Sequence, residues 1–343
     1  MAQTQQRNKT NWLALALGTS FTVLLLFAAE GLSRLIYKEP PAEDVKYAKD
    51  YFFIDSNGIT RAQPSRRYSA SSFSGRTGKL IYDVFYTIDE HGSRVTPAPH
   101  PELRHKHLLF FGCSFTFGEG LQDGQTYPAQ IALRAKTYMP YNYGFHGDSP
   151  AEMLAKLESG TLFSEVQKEE GLLIYLFMDA HVPRVAGAMS IAASWGKNRP
   201  YYVLGGNGEP RRQGNFTTGR PVLSKIYGIL AQSKLLKLLK IDFPPRMTER
   251  HIEMTARLIE KSARLYHKQF PKGRFVVVLH PVSFRYGTRL LRYLKAMHLE
   301  AYDCRGLFDA SRPEYVLSPE DLHPNSLADA ELAKQIVKDL KLE

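Results

Sequence analysis

The chain has 343 residues, of which 43% are hydrophobic and 23% are charged, and its 45 Lys and Arg against 34 Asp and Glu give a net charge of +11. This is the composition of an ordinary globular protein, and it excludes a disordered chain or a multi-span membrane protein. The basic residues are scattered and accompany no nucleic-acid-binding motif, so we expect no nucleic-acid partner. Two cysteines cannot form a disulfide framework, and no residues occur at metal-ligand spacing, so we expect no metal or other cofactor.

An apolar segment near the N-terminus predicts a membrane anchor. Residues 12–29 read WLALALGTSFTVLLLFAA and follow Arg7 and Lys9. A helix needs about 20 apolar residues to cross the hydrocarbon core, a length that this segment reaches with its flanks. By the positive-inside rule we expect a cytoplasmic N-terminus at 1–11, a transmembrane signal anchor at 12–35, and the rest of the chain on the periplasmic side of a bacterial inner membrane. The alternative is a cleaved signal peptide, whose basic start and apolar middle follow the same pattern.

The next segment, 36–104, has the pattern of short strands. Pro40 and Pro41 mark a linker, and the run LIYDVFYTI at 80–88 alternates in polarity before a turn at Gly92. Period-two alternation is typical of half-buried strands. We therefore expect a linker and a small β-rich extension here.

From residue 105 onward, short apolar runs alternate with segments of helical periodicity. This alternation predicts an α/β fold with a doubly wound, parallel five-stranded sheet, flavodoxin-like in its winding. Ligands of such sheets bind at the carboxyl ends of the strands. The predicted strands are His107–Phe111, Pro140–Gly144, Leu172–Phe177, Phe275–Leu279 and Leu299–Tyr302, and the predicted helices are Tyr127–Lys136, Ala151–Val166, Thr248–Phe270 and Leu327–Leu340.

One long insertion, at 185–240, interrupts the alternation. It contains several glycines and the aromatic residues Trp195, Tyr201 and Tyr202. Aromatic faces can stack on sugar rings, but a segment of this length also packs against its own domain. Both interpretations stay open: a cap over a substrate site, or a packed insertion.

Ser114 stands where a buried strand meets a turn. The sequence LLFFGCSFT, residues 108–116, places it two residues after Gly112. Backbone N–H groups at such a turn can stabilise an oxyanion, and a general base would make the serine a nucleophile. Taken alone, the pattern also fits a structural turn.

A general base for Ser114 is available near the C-terminus. Residues 320–325 read EDLHPN, which places Asp321 two residues before His323. In a serine hydrolase the imidazole accepts the serine proton, and the carboxylate fixes the imidazole tautomer. Without Ser114, we would interpret Asp321 as a helix cap. With it, the three residues form a candidate catalytic triad.

Together these segments resemble the SGNH hydrolase superfamily, also called GDSL hydrolases. Gly112-Cys113-Ser114 is similar to the family's opening Gly-Asp-Ser block, with cysteine in place of aspartate, and NYGFHGDS at 142–149 is similar to its second block. The resemblance implies a hydrolase domain at 105–343, with Ser114 as the nucleophile. It also implies an oxyanion hole formed by the N–H groups of Ser114 and Gly147.

The third block departs from the family pattern. The family has an asparagine after the third strand, whereas this chain reads FMDAHVPR at 177–184. We therefore regard Asn142, Asp179, His181 and Arg184 as candidate pocket residues. An equal alternative is that Asp179 only caps a turn.

The closing block allows two choices of acid. The commoner family spacing would select Glu320, whereas the spacing of some membrane-associated acetyl-transfer relatives selects Asp321. We choose Asp321.

The resemblance implies a serine esterase that acts on acyl esters, acetyl esters in particular, of an extracytoplasmic carbohydrate or lipid. The first alternative is an O-acetyltransferase that modifies an envelope polysaccharide with the same residues. The second is a catalytically silent binding or assembly protein. The sequence indicates no particular protein partner.

Overall fold

The computed structural model describes residues 2–55, 58–310 and 312–342. The first element, helix α1, spans Ala2–Ile36. From Ala14 to Ile36 it is long and apolar enough to cross a membrane, and its apolar side chains there are largely exposed. A signal sequence near an N-terminus has the same two properties.

A β-rich extension follows α1, as predicted. In the described part of the chain its strands pair antiparallel in two small sheets, with orders β1-β4-β5 and β2-β3. Tyr82 and Tyr86 on the buried face of the larger sheet pack with Phe117 and Phe145 of the following domain. The extension therefore shares a core with that domain. Its strands are β1 (Asp44–Tyr47), β2 (Phe52–Ile54), β3 (Thr60–Ala62), β4 (Arg66–Phe73) and β5 (Leu80–Ile88).

A parallel sheet with the order β12-β11-β8-β6-β7 forms the centre of the domain, so the predicted fold class is confirmed. Each long strand contributes alternate residues to two separate cores, one on each face. Burial on both faces explains why these strands are continuous apolar runs in the sequence. The strands are β6 (Lys106–Phe111), β7 (Tyr138–Asn142), β8 (Gly171–Phe177), β11 (Arg274–Leu279) and β12 (Glu300–Asp303).

Helices cover both faces of the sheet. Within the described residues, one core contains side chains of α4, α11 and α12, and the opposite core contains those of α3 and α13. The predicted helix Ala151–Val166 is divided at Gly160, whose φ of 74° ends α4 and starts α5. The bounds are α2 (Ser114–Phe117), α3 (Tyr127–Arg134), α4 (Pro150–Ser159), α5 (Thr161–Glu165), α6 (His181–Ala186), α7 (Met189–Ala192), α11 (Glu249–Gln269), α12 (Gly287–Ala296) and α13 (Ser326–Leu340).

The segment 185–240 has regular structure over much of its length. A hairpin of β9 (Pro200–Leu204) and β10 (Pro210–Asn215) leads into three helices. Tyr202 packs against α4 and α11, and Tyr201 joins a small core with Phe216. Two of the aromatic residues in this segment therefore pack within the protein. The three helices are α8 (Phe216–Gly219), α9 (Pro221–Leu230) and α10 (Lys234–Leu238).

Candidate active site

Ser114 is the first residue of α2 and follows the inner strand β6 after a two-residue turn. A Cβ atom at Gly112 would lie 2.1 Å from Oγ1 of Thr116, so a larger residue could not occupy this turn without displacing α2. The carboxyl end of a parallel strand is the usual place for a ligand in this fold class. The turn therefore presents the Ser114 hydroxyl at the expected edge of the sheet.

Arg94 of the extension holds the other end of α2. Its buried guanidinium donates hydrogen bonds to the carbonyl oxygens of Phe117 at 2.8 Å and Leu121 at 2.6 Å. It also pairs with Asp123 at 3.1 Å. The last carbonyls of a helix have no partner within it, and a cation there satisfies them. The extension thus helps to fix α2, and with it Ser114, because Arg94 binds a carbonyl oxygen at the end of α2 that has no partner within the helix.

His323 connects Ser114 to Asp321. Its Nε2 lies 2.8 Å from Oγ of Ser114, and its Nδ1 lies 2.6 Å from Oδ1 of Asp321. Asp321 is only 3% exposed, and the same oxygen accepts a hydrogen bond from the backbone N–H of His323 at 3.0 Å. A carboxylate in this position favours the tautomer with the proton on Nδ1, which leaves Nε2 able to accept the serine proton. The structure therefore brings the three predicted triad residues together.

Glu320 faces away from the imidazole. Its carboxylate accepts a hydrogen bond from Oγ of Ser74 at 2.8 Å and lies 3.8 Å from Nε of Arg76. The Asp321 side chain is turned inward, and its Oδ1 lies 2.6 Å from Nδ1 of His323. The carboxylate next to His323 is therefore that of Asp321.

The environment of His323 favours its protonated form. Burial alone lowers the pKa of the imidazole, but the hydrogen bond to Asp321 and the negative charge of Glu119 outweigh it, so the pKa is raised above 6.5. The same charges raise the pKa of Glu43. Burial is the main cause and the charge of Asp321 adds to it, which brings the pKa of this carboxyl to about 7. A base with a raised pKa accepts a proton more readily.

Two backbone amides are available to stabilise an oxyanion. Among the described residues, the N–H groups of Ser114 and Gly147 donate no hydrogen bond. Both residues line the same pocket. Gly147 has a φ of 73°, and a Cβ atom there would lie 2.6 Å from the Trp195 ring, so this position requires glycine. The two amides predicted for the oxyanion hole thus belong to residues that line one pocket, and in the described part of the chain neither N–H donates a hydrogen bond.

A carboxylate wall, formed by Glu119, His146 and Tyr47, lies next to His323. Oε2 of Glu119 is 2.6 Å from Nδ1 of His146 and 3.7 Å from Nε2 of His323, and its other oxygen accepts a hydrogen bond from the Tyr47 hydroxyl. Burial opposes ionisation of Glu119, but His146 and His323 lower its pKa below the ordinary value. A permanent negative charge therefore lies beside the base.

A second part of the pocket lining is an arginine wall, formed by Arg184, Trp195 and Arg199, and it adjoins the first because Arg199 donates a hydrogen bond to the backbone oxygen of His146. The two guanidinium groups lie 5.9 and 5.5 Å from the centre of the Trp195 ring. The pocket lined by the two walls has a volume of about 430 Å³. Phe52 and Thr60 of the extension complete its lining. Residues of three separate segments therefore enclose Ser114.

The charges of the arginine wall are only partly balanced. Arg199 pairs with Asp148 at 2.6 Å, and the buried Lys156 pairs with the same carboxylate at 2.6 Å. Arg184 donates to the backbone oxygen of Asp148 at 3.0 Å, and the described residues place no carboxylate within ion-pair distance of it. The guanidinium of Arg184 is therefore available to an anionic group in the pocket.

Three of the candidate pocket residues lie elsewhere, which corrects the sequence-based assignment. Asn142 is buried and donates to the carbonyl oxygen of Thr116 at 2.9 Å, so it connects β7 to α2. Asp179 accepts hydrogen bonds from the two backbone amides before α12. His181 is fully buried, 2.6 Å from the Tyr175 hydroxyl, and burial lowers its pKa. Of the four candidates, Arg184 lines the pocket with Ser114.

Glu119, His146 and Arg199 also line the pocket, although no sequence pattern predicts a role for them. His146 falls inside the second segment that resembles the family, and Glu119 follows Ser114 by five residues, but nothing in the sequence indicates that the two side chains pair. Arg199 lies in the insertion, where no periodic pattern relates it to the sheet. Within the described residues, the structure contains no group of three or more His, Cys, Asp or Glu side chains arranged to hold a metal ion.

Comparison with protein-family models and with curated protein sequences yields no match. Among solved structures, the chain is similar to an acetyl xylan esterase from the rumen bacterium Butyrivibrio proteoclasticus, at 13% identity and a TM-score of 0.41, over 69% of this chain and 64% of that one. It therefore spans less than two thirds of that esterase.

Two further solved structures cover more of their own length. One is a member of the lipolytic protein G-D-S-L family from Veillonella parvula, at 15% identity and a TM-score of 0.39, over 69% of this chain and 98% of that one. The other is a family two carbohydrate esterase from Cellvibrio japonicus, at 10% identity and a TM-score of 0.43, over 87% and 98%. Similarities this distant carry no argument about function, so the function must be inferred from the residues of this chain.

Proposed function

We propose that this protein is a membrane-anchored serine esterase of the SGNH type. It removes acyl groups, in particular acetyl groups, from a carbohydrate or lipid outside the cytoplasm. The observation that carries the proposal is the hydrogen-bonded series from Ser114 through His323 to Asp321, with distances of 2.8 and 2.6 Å, in a pocket of about 430 Å³.

In the first half of the reaction, Oγ of Ser114 attacks the ester carbonyl while its proton moves to Nε2 of His323. The N–H groups of Ser114 and Gly147 stabilise the oxyanion of the tetrahedral intermediate. When the C–O bond breaks, His323 gives its proton to the leaving alcohol. Asp321 and Glu119 stabilise the imidazolium that exists between these two proton transfers.

In the second half, water attacks the acyl-enzyme and gives its proton to Nε2 of His323. The tetrahedral intermediate collapses, the carboxylic acid leaves, and the proton returns to Oγ of Ser114. The chemistry needs only the triad and the two amides.

The arginine wall supports a carbohydrate substrate that carries an anionic group. Trp195 is 53% exposed and lines the pocket, so the exposed part of its ring can contact a sugar. Arg184 can bind a carboxylate or phosphate through two N–H donors. The preferred substrate is therefore an acylated acidic sugar.

Contacts of α1 with the domain support its retention as an anchor. Ser33 is 3% exposed, and Glu30 accepts a hydrogen bond from Oγ of Ser233 at 2.7 Å. Cleavage after residue 29 would separate the apolar part of α1 from these contacts. With basic residues before the span, the positive-inside rule places the catalytic domain on the periplasmic side of a bacterial inner membrane.

Hydrolysis of p-nitrophenyl acetate by the full-length protein in detergent micelles tests the proposal. Ser114→Ala and His323→Ala should each lose about 10³-fold or more of kcat/KM, since neither can form the acyl-enzyme efficiently. Ser164→Ala and His267→Ala replace the same residue types at exposed positions and serve as matched controls that should keep full activity.

Labelling of Ser114 by a fluorophosphonate provides a second measurement. Activity that survives in Ser114→Ala would contradict the assignment of the nucleophile. A folded protein that neither hydrolyses the ester nor reacts with the fluorophosphonate would contradict the esterase proposal. If Ser114 reacts with the fluorophosphonate and the protein transfers the acyl group to an added sugar without hydrolysing the ester, the proposed activity becomes acyl transfer instead of hydrolysis.

A further inference from the structure

Helix α9 is apolar on both of its faces. Tyr227 and Leu230 on one face pack into the small core of the insertion. Val222, Ile226 and Ile229, spaced four and three residues apart, form the opposite face and are 71%, 46% and 71% exposed. An exposed apolar face of this kind marks a surface that contacts a membrane or a partner, because its contact with water is unfavourable.

Exposed apolar residues also occur at the end of α10, the helix that follows α9 in the chain. Leu238 and Leu239 at the end of α10 are 41% and 58% exposed, and Ile241 is 38% exposed. We define the α9–α10 surface as Val222, Ile226, Ile229, Leu238, Leu239 and Ile241.

Helix α1 is hydrogen-bonded to the start of α10 through one residue, Glu30. The carboxylate of Glu30 accepts hydrogen bonds from Oγ of Ser233 at 2.7 Å and from the backbone N–H groups of Lys234 and Leu235, each at 3.1 Å. These are donors at the N-terminus of α10, which the helix cannot satisfy internally. Glu30, the residue that ends the uncharged segment of α1, therefore lies level with the start of α10.

Residues of α1 that precede Glu30 in the chain line a cavity together with residues of α9 and α10. Val23, Leu26 and Phe27 line a cavity of about 530 Å³ together with α9 and α10 residues, including Ile229 and Leu236. Val23 lies seven residues before Glu30, which is about 10 Å along a helix at 1.5 Å per residue. If α1 crosses the membrane, the residues that face Val23 and Leu26 lie within the same leaflet.

Lysines occur on the same two helices. Lys225, Lys237 and Lys240 are exposed, and Lys234 and Lys237 also pair with Glu39 just beyond α1, at 2.8 and 2.7 Å. Basic residues beside an apolar face are the pattern of helices that lie in the interface of a membrane with anionic lipids.

We propose that the α9–α10 surface is inserted in the membrane leaflet at the C-terminal end of α1, and that phospholipid acyl chains fill the cavity between α1 and α10. This proposal rests on α1 spanning the membrane, which is part of the proposed function, but not on the esterase activity. The protein is then held by two contacts, a spanning helix and an immersed surface, which together fix its orientation above the lipid.

Quenching of fluorescent labels in nanodiscs tests the proposal. Ile229→Cys and Leu239→Cys are labelled in the full-length protein, in which Cys113 and Cys304 are buried. The nanodiscs contain phosphatidylcholine and phosphatidylglycerol, some of it carrying a nitroxide near the top of the acyl chain. Leu25→Cys on α1 is the positive control, and Leu133→Cys, an exposed leucine on α3, is the negative control. Iodide quenches labels that are in water.

We expect the nitroxide lipid to quench the labels at 229 and 239 as strongly as the label at 25, and iodide to quench only the label at 133. Quenching of 229 and 239 by iodide and not by the nitroxide would overturn the proposal, because the surface would be in water. Protection from both quenchers would also overturn it, because a protein would cover the surface. A label at 25 that the nitroxide does not reach would refute the membrane span itself, and ester hydrolysis is measured separately on the same samples.

Discussion

The two walls of the pocket differ in how their charges are arranged. In the carboxylate wall, Glu119 is buried and has partners on every side, so its charge is fixed and points at His323. In the arginine wall, Arg184 has one hydrogen bond to a backbone oxygen, and Trp195 is 53% exposed. The first arrangement stabilises a charge that appears on the enzyme during the reaction, and the second can bind a charge that the substrate brings. We therefore assign catalysis and recognition to different residues of the same pocket lining.

The largest effect should come from the ion pairs that support the arginine wall. Asp148→Asn leaves Lys156 and Arg199 without their shared carboxylate in a buried site, which should lower the free energy of unfolding by about 3 to 5 kcal/mol. Urea unfolding of the full-length protein in micelles measures this. Glu170→Gln is the matched control, because its pair with Lys272 is largely exposed and should contribute less than about 1 kcal/mol. Equal losses in the two variants would contradict the assignment.

Catalysis should depend on the charge of the Glu119 side chain in the carboxylate wall and not on its size. Glu119→Gln keeps the shape but removes the charge 3.7 Å from His323. We expect kcat to fall about 10- to 100-fold, within the range of general-base effects, and the acid limb of the pH–rate profile to move to lower pH as the pKa of His323 falls. Glu320→Gln, which faces away from the imidazole, should change neither. A lower kcat with an unmoved acid limb would indicate a structural role only.

The arginine wall should affect binding without affecting the reaction. Arg184→Ala should raise KM about tenfold, or about 1.4 kcal/mol, for an acetylated uronic acid, and leave kcat unchanged. Hydrolysis of the corresponding neutral acetylated sugar should be unaffected. Lys197→Ala, an exposed cation of the same insertion, is the control. Equal effects on the acidic and neutral sugars would show that Arg184 does not bind the anionic group.

The smallest effect should come from Glu43, at the edge of the carboxylate wall. Its pKa of about 7 means that it is mostly ionised above pH 7, where its negative charge helps to raise the pKa of His323. Glu43→Gln removes that charge, so the acid limb of kcat/KM should move to lower pH by less than about one unit. A shift in the opposite direction would contradict the interaction. Asp44→Asn, the exposed neighbour, should leave the profile in place.

The fold could be predicted from the sequence because the long strands β6, β8 and β11 bury both faces and the covering helices repeat their apolar residues at helical spacing. The triad residues were found because Ser114 follows a strand and Asp321 lies two residues from His323. The strand end at Asn142 was placed two residues late, since the apolar residues after it belong to a loop. Asp179 and His181 follow strand β8, where pocket residues are expected. Asp179 instead accepts hydrogen bonds from the backbone amides before α12, and His181 is hydrogen-bonded to the Tyr175 hydroxyl.

The pairing of Glu119 with Tyr47 and His146 could not be predicted from one sequence. Tyr47 lies in the extension, 72 positions from Glu119. His146 lies in the loop after β7, 27 positions from Glu119. Nothing local in the chain indicates which polar residues meet when the extension packs on the domain. Contacts of this kind depend on tertiary packing, which the periodicity of single elements does not encode.

The short link between α1 and the extension limits where the enzyme can work. Helix α1 ends at Ile36, and Glu43 is already close enough to the triad for the charge of Asp321 to raise its pKa. Seven residues span at most about 25 Å even when fully extended. An anchored enzyme of this design reaches only those ester groups that pass within a few nanometres of the bilayer. A long polymer would thus be processed as it emerges from the membrane, and its released length would keep whatever acyl pattern it had on leaving that zone.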